Sequence, residues 1–304
     1  MRLLKIGTIY IKTQLDDYLM NYEVKKTIDT HIEIVPMKES SIEVNGDICM
    51  HDDVFVSEKE GVCIIHNIDT AIIKIKKDHD GTIIIEFNDS ISKKAVEEIF
   101  EKIALPYLIY NQNNQRLILL HSTCLHKEGF MVALAGASTV GKSTLAGKLI
   151  VDCGYDLISD DLLYIWNEDN RIIPLISHLK LNQDSMEIIL AGRNKALIEK
   201  NRSVVIENTR TVNMFCEIRY EENCEEIRLS PVTRKISKIK TILRNVYALP
   251  LYSLNEENLK MISDFCDLRG LVVAEMTHGK RWNQLESMAD LIEKTRANHL
   301  HRTV

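Results

Sequence analysis

The chain has 304 residues, with 38 Lys and Arg against 44 Asp and Glu and a formal charge of −6. A hydrophobic fraction of 45 % and a charged fraction of 27 % suit a globular protein, and the mildly acidic balance argues against binding to nucleic acid. No apolar run nears the about 18–20 residues of a membrane span, and the seven scattered cysteines contain no Cys-x-x-Cys, so neither a membrane segment, a disulfide framework nor a zinc site is expected.

Residues Met1–Thr8 carry positive charge without the apolar stretch of an export signal, and the thiols read as reduced, so a cytoplasmic protein is expected. Short β-rich runs follow at Ile32–Val35, Ser41–Val44, Val62–Ile65, Ala71–Ile75 and Thr82–Phe87. Turn signals separate them at Asn45-Gly46, Asn67–Asp69 and Asp78–Gly81, which predicts an antiparallel β lobe. Its histidines His51, His66 and His79, like His299 and His301 of the tail, read as solvated. From Asp89 the apolar period becomes helical, with a capping-type opening, and the helix is expected to bridge to about Gln112. Residues 1–113 therefore read as a β-rich N-terminal lobe and residues 114–304 as a second, α/β domain.

In that second domain, Arg116–His121 reads as a strand, and the continuous apolar run Phe130–Ala135 as a strand buried on both faces of a mostly parallel sheet. Further strands are expected at Tyr155–Ser159, Leu162–Trp166 and Leu271–Met276, and helices at Ser237–Val246, Glu256–Asp267 and Gln284–Arg296.

Directly after Phe130–Ala135 stands Gly136-Ala137-Ser138-Thr139-Val140-Gly141-Lys142-Ser143, a full G-x-x-x-x-G-K-[ST] phosphate loop, followed by Thr144, with a helix expected over Lys142–Cys153. Glycines let successive N–H groups curl inward on anionic oxygens, and the helix start adds partial positive charge. Lys142 is suited to bridge β- and γ-phosphates, and the Ser143 hydroxyl to ligate Mg²⁺. Such a loop serves motors, switches, transporters and kinases alike, so the reaction depends on what surrounds it.

Asp160-Asp161 follows Lys142 by 18 residues, the length of a helix, a turn and a strand. That spacing puts the pair at a strand end beside the loop, where one carboxylate can face Mg²⁺ and the other take a proton from an attacking hydroxyl. Adjacent acids titrate as a coupled pair, so their division of labour stays open, with Asp160 taken as base and Asp161 as the metal-facing or orienting group. His121 precedes the loop by 15 residues at a strand end.

In the order His121, Gly136–Ser143, Asp160-Asp161, the segment Leu119–Ile165 resembles the catalytic domain of HPr kinase/phosphorylase. It is more similar still to the HPr-kinase-like proteins encoded in peptide-tailoring clusters, including lasso-peptide kinases. The shared marks are a leucine-His-Ala/Ser strand, a loop ending Gly-Lys-Ser-Thr and a small-residue-Asp-Asp strand; a fainter likeness extends into Ser177–Met186. The resemblance implies a P-loop kinase lobe related to phosphoenolpyruvate carboxykinase, using ATP and Mg²⁺ to phosphorylate a serine hydroxyl. It implies Asp160 as base, Lys142 and Ser143 on phosphate and metal, and His121 lining the site. Thr139 stands where those kinases carry a second loop glycine, Thr144 replaces their Glu, and their Leu-Asn-x-Arg-Gly signature is missing. A serine on another peptide, or a small molecule, is therefore expected as acceptor rather than the HPr protein, without the reverse phosphorolysis; a serine side chain of a peptide or protein is the leading expectation.

Two further stretches compete for roles. The basic run Ser230–Arg244 offers Arg234 or Arg244 as the cation that completes a kinase site, or a docking face for an acidic peptide. It also reads as a solvated helix face opposite Ile236, Ile239, Leu243 and Val246. Leu271–Glu275 imitates the strand of an ATPase with a catalytic Glu, although a buried strand ending in a polar residue is the commoner explanation. The other readings are a kinase of free serine and a non-enzymatic nucleotide-binding regulator; self-association into a homo-oligomer is left open.

Overall fold

The computed structural model describes residues 2–6, 9–13, 32–36, 48–51, 54–59, 62–66, 71–77, 83–88, 90, 92, 104, 117–166, 172–173, 179, 181, 183–190, 211–247, 256–279 and 284–303. The chain divides into two compact units, one of residues 1–115 with 248–253 and the other of residues 116–247 with 254–304.

The first unit is built on β1 (Arg2–Ile6), β2 (Ile9–Thr13), β3 (Ile32–Pro36), β4 (Ile48–His51), β5 (Val54–Lys59), β6 (Val62–His66), β7 (Ala71–Lys77) and β8 (Ile83–Phe87). They form one sheet in the order β1-β2-β3-β8-β7-β6-β5-β4. Isoleucine-rich strands supply the β-branched side chains that pack on a pleated surface, and Ile65, Ile73 and Ile85 are buried there. The sheet is mixed rather than antiparallel, because β3 pairs parallel with both β2 and β8. After β3 the chain builds β4–β7 before β8 returns beside it, a long-range pairing that no local alternation encodes. His66, read as solvated, is buried on β6 between β5 and β7. The run Ser41–Val44 and, apart from residues 90, 92 and 104, the expected bridging helix to Gln112 lie outside the described residues, as does His79.

The second unit carries β9 (Leu117–Leu120), β10 (Ser122–Lys127), β11 (Phe130–Ala135), α1 (Lys142–Cys153), β12 (Asp156–Ser159), β13 (Leu163–Trp166), β14 (Ile172–Ile173) and α2 (Gln183–Leu190). After these come β15 (Met214–Tyr220), β16 (Arg228–Pro231), α3 (Lys235–Leu243), α4 (Glu256–Cys266), β17 (Val272–His278) and α5 (Leu285–Thr303). A six-stranded sheet runs β12-β10-β11-β15-β17-β16, and a three-stranded sheet runs β14-β13-β9. The unit is α/β in character. Its large sheet is mixed, not mostly parallel: β11, β15 and β17 run together, while β10, β12 and β16 oppose their neighbours. The reason is a tight hairpin between β10 and β11, whose turn residues Glu128 (φ 47°) and Gly129 (φ 83°) are both left-handed, as a two-residue hairpin requires.

One face of the six-stranded sheet packs on α1 and α5, burying Leu134, Leu145, Leu149, Leu157, Cys216, Met288 and Ile292 in a common core. β11 is buried on both faces along its whole length. His299, also read as solvated, packs its ring edge-on against Phe130 (5.4 Å between centroids) and bonds the Asn213 amide at 3.1 Å. Helix α3 departs from its expected face in part: Ile236 is 66 % exposed and Ile239 and Leu243 are half-buried, Val246 is buried as expected, and Thr241, Ile242 and Asn245 are buried as well. Among the described residues no helix is long and apolar enough to cross a membrane.

Candidate functional site

Among the described residues the chain crosses between the two sheets of the second unit at three places, β9 to β10, β12 to β13 and β14 to β15, and the candidate chemistry stands at the first two. His121 is the single residue between β9 of the small sheet and β10 of the large one. Asp160 and Asp161 lie between β12 of the large sheet and β13 of the small one. Residues at such crossings leave the backbone ladders, and so their side chains and peptides are available for other bonds.

The phosphate loop leaves the C-terminal end of β11. Gly136 has φ 136°, and a Cβ there would stand 2.4 Å from the Ile218 carbonyl oxygen on β15, so only glycine lets the loop begin this close to the neighbouring strand. Thr139 (φ 69°) and Gly141 (φ 94°) are left-handed. Thr139 holds this conformation despite its branched side chain, in the place where the resembling kinases have glycine. Ala137, Ser138 and Thr139 are exposed, and Val140 is half-buried. Gly141 is the N-cap of α1; it makes no side-chain cap, and no acidic residue stands in the first turn, so the helix start keeps its bare N–H groups and positive dipole end. That is the chemistry of an anion site.

Lys142 is only 7 % exposed, and its Nζ donates to the carbonyls of Gly136 (2.8 Å) and Ala137 (3.0 Å), folding the side chain back over the loop. Burial lowers its pKa, against the opposing pull of the negative charges on Asp161 and Asp160. Those charges act at the loop lysine, so the two motifs that sequence separates by 18 residues share one electrostatic site. Ser143 is half-buried at the start of α1. The Thr144 hydroxyl turns instead to Ser185 at 2.8 Å, tying α1 to α2.

Asp160 is 6 % exposed and accepts a 2.7 Å hydrogen bond at Oδ1 from the hydroxyl of Thr123, which is fully buried on β10. Asp161 is left-handed (φ 65°), and the Leu162 N–H donates to the Asp160 carbonyl at 2.8 Å, which tightens the turn around it. A carboxylate held in a sparsely populated backbone conformation is the kind of strain that functional sites retain. Tyr247 completes the surroundings. Its ring meets His121 edge-on at 6.2 Å, its N–H donates to the Leu119 carbonyl at 2.9 Å, and the His121 N–H donates to the Asn245 carbonyl at 2.8 Å. Burial, and then the charge on Asp161, push the Tyr247 phenol up to about 12. His121 and Tyr247 are thus neighbours, and the charge of Asp161 is felt at Tyr247.

Arg244, one of the two candidate cations, is engaged elsewhere. It donates from Nε to Glu217 Oε1 (3.0 Å) and from Nη2 to Glu217 Oε2 (2.7 Å) and Glu275 Oε1 (2.9 Å). Arg219 joins the same carboxylates, at 2.7 Å and 2.8 Å, and the Asn245 amide donates to Glu217 at 2.9 Å. Glu217 and Glu275 are register partners on β15 and β17, and Glu217 pairs with Ala135 beside the loop. Burial alone would raise the Glu217 pKa; the bonds from Arg244, Asn245 and Arg219 hold it below the usual carboxylate range. Glu275, the residue that imitates an ATPase acid, is a partner in this ion network. Arg234 caps the start of α3 and is exposed. Sequence reasoning missed Thr123, Glu217, Tyr247 and His278. For Glu217 a signal existed, since Glu217 and Arg219 alternate on one face of Met214–Tyr220.

A Mg²⁺ ion usually takes one or two protein carboxylates besides phosphate oxygens and water. Ser143 and the Asp160-Asp161 carboxylates are hard oxygen donors of that kind, and among the described residues no group of three or more His, Cys, Asp or Glu side chains gathers into a metal cage.

No family model matches the sequence, and no curated protein matches it. Among solved structures the chain is similar to the HPr(Ser) kinase/phosphatase from Coxiella burnetii, at 18 % identity over 61 % of this chain and 92 % of that one, with a TM-score of 0.32. A TM-score so low carries no functional argument, which rests instead on the residues of the loop and the first two crossings.

Proposed function

We propose that this protein is an ATP- and Mg²⁺-dependent kinase that transfers the γ-phosphoryl to a serine hydroxyl of a peptide or protein. The observation that carries the reading is a buried Lys142 in a left-handed, uncapped phosphate loop, with Asp160 and Asp161 acting on its charge. Residues 136–144 would hold the β- and γ-phosphates through inward N–H groups and the start of α1. Lys142 would exchange its two loop carbonyls for phosphate oxygens. Bound Mg²⁺, held by Ser143 and Asp161, supplies positive charge to the transferred group. Asp160, oriented by Thr123, takes the hydrogen of the serine Oγ–H as that oxygen attacks the γ-phosphorus and the bond to ADP breaks. His121 lines the site and is steadied by Tyr247. In this reading residues 114–304 form the catalytic domain of HPr kinase/phosphoenolpyruvate carboxykinase type, and the β-rich lobe of residues 1–113 recruits the acceptor.

The test is purified protein with Mg²⁺ and γ-labelled ATP, offered serine peptides, whole proteins and free serine. Label retained as phosphoserine on a peptide or protein is the expected result. Asp160→Asn should keep nucleotide binding and lose transfer by about 10²–10⁴-fold, the usual contribution of a positioned base. Turnover near wild type in that variant removes Asp160 from its role. Slow hydrolysis indifferent to every acceptor favours the regulator, and transfer to free serine alone favours a small-molecule kinase.

A further inference from the structure

One peptide of the phosphate loop is held from outside. His278 closes β17, which is separated from the loop strand β11 by β15 alone. Its Nε2 lies 3.0 Å from the Val140 carbonyl oxygen, and its Nδ1 lies 2.8 Å from the Gly279 carbonyl oxygen. A carbonyl oxygen only accepts, so the contact with Val140 forms when Nε2 carries hydrogen and donates it; the Gly279 contact makes the same demand of Nδ1, so both bonds form together only on the doubly protonated ring. The ring is well anchored. Tyr220 packs edge-on against it at 6.0 Å between centroids. The Gly279 N–H donates to Gln284 Oε1 at 2.9 Å, and Gln284 Nε2 donates to the Glu225 carbonyl at 2.9 Å. A Cβ at position 279 would stand 2.2 Å from the Cys224 carbonyl oxygen, so the backbone that carries His278 is pressed against its neighbour.

The Val140 carbonyl and the Gly141 N–H belong to one planar trans peptide and point in opposite directions. Holding the carbonyl outward turns the N–H inward, the direction in which curled loops grip anions. Donation to the carbonyl also polarises the amide at the other end of the same peptide. We infer that His278 is a positioning residue for anion binding, which acts through the Val140–Gly141 peptide without touching the nucleotide. The consequence for affinity rests on the nucleotide reading above; the orientation of the peptide does not.

Two variants separate hydrogen-bond donation from packing. His278→Phe keeps a ring and loses the donor, while His278→Gln presents an amide N–H near the place of Nε2. Amide NMR of the free protein should show the Gly141 proton moving upfield in His278→Phe and returning toward wild type in His278→Gln. ATP–Mg²⁺ affinity by calorimetry should fall about five- to tenfold in the Phe variant, the effect of one lost hydrogen bond, and recover in the Gln variant. A Gly141 amide unmoved by the Phe variant, or a Gln variant as impaired as Phe, overturns the inference. If His278→Phe does not fold, ring-nitrogen NMR of the wild-type protein decides, because an Nε2 without hydrogen overturns it. A His278-dependent Gly141 shift in a protein that binds no nucleotide upholds the orientation and overturns the kinase reading instead.

Discussion

Replacing Thr123 by valine removes one hydroxyl from a fully buried position and little else, since valine has the same shape and suits a β-strand as well. The loss falls on Asp160, which accepts that hydroxyl at 2.7 Å and is itself 6 % exposed, leaving little room for water to substitute. A hydrogen bond to a charged group contributes about 1.5–3 kcal/mol, and the methyl that replaces the hydroxyl returns a part of it in an apolar setting, so a net loss of about 1–2 kcal/mol is expected. For a domain of this size that lowers the melting temperature by about 3–6 °C. Phosphoryl transfer should fall about ten- to a hundredfold, because the carboxylate loses the bond that aims it. The decisive assay is a double-mutant cycle with Asp160→Asn, read by chemical denaturation. The two changes should couple by about 1 kcal/mol, whereas independent sites add within about 0.3–0.5 kcal/mol. Additivity, together with unchanged transfer in Thr123→Val, would refute the claim that Thr123 orients Asp160.

Lys142→Met should leave the fold intact by retaining the stem's packing and weaken ATP affinity at least tenfold, as measured by calorimetry. Thr139→Gly relieves a left-handed branched residue and should raise stability by about 0.5–1 kcal/mol in thermal denaturation without loss of nucleotide affinity. Glu217→Gln weakens the clamp on Arg244 and Arg219 and should cost about 2 kcal/mol at neutral pH, the partial exposure of both arginines having been discounted. Because the Glu217 pKa is held below its ordinary value of about 4.3, its contribution is present above that pH and is lost as pH falls through the folded value. The stability gap between wild type and Glu217→Gln should therefore narrow below about pH 4; a gap constant from pH 3 to pH 7 would remove the carboxylate from this role.

Local chemistry was readable in the sequence, and long-range pairing was not. The phosphate loop and the helix after it follow from a motif and a 3.6-residue period, and α1 has the bounds Lys142–Cys153 that the pattern gives. The aspartate pair could be placed at a strand end by counting residues. Thr123 lies 37 residues from Asp160 and His278 lies 138 from Val140, and nothing in either segment announces its partner. The strand β15 escaped because its charged residues Glu217 and Arg219 interrupt the apolar run, although those charges meet Arg244 and Glu275 across the sheet and helix. The expected face of α3 was misplaced in part for the same reason: Asn245 is buried to serve Glu217 and Thr241 to serve Glu275, and hydrophobic periodicity cannot foresee a polar interior.

His121 and Asp160-Asp161 occupy two of the three passages that the chain makes, among the described residues, between the same pair of sheets. Each passage is free of ladder pairing, so its side chains can be exchanged without rebuilding either sheet. The two passages are nevertheless tied to each other on both sides, by the pairing of β9 with β13 in one sheet and of β10 with β12 in the other. A scaffold of this kind keeps its geometry under strict control while leaving its reactive groups interchangeable, and variation in acceptor chemistry among descendants of such a chain should collect at these few positions rather than in the strands that hold them.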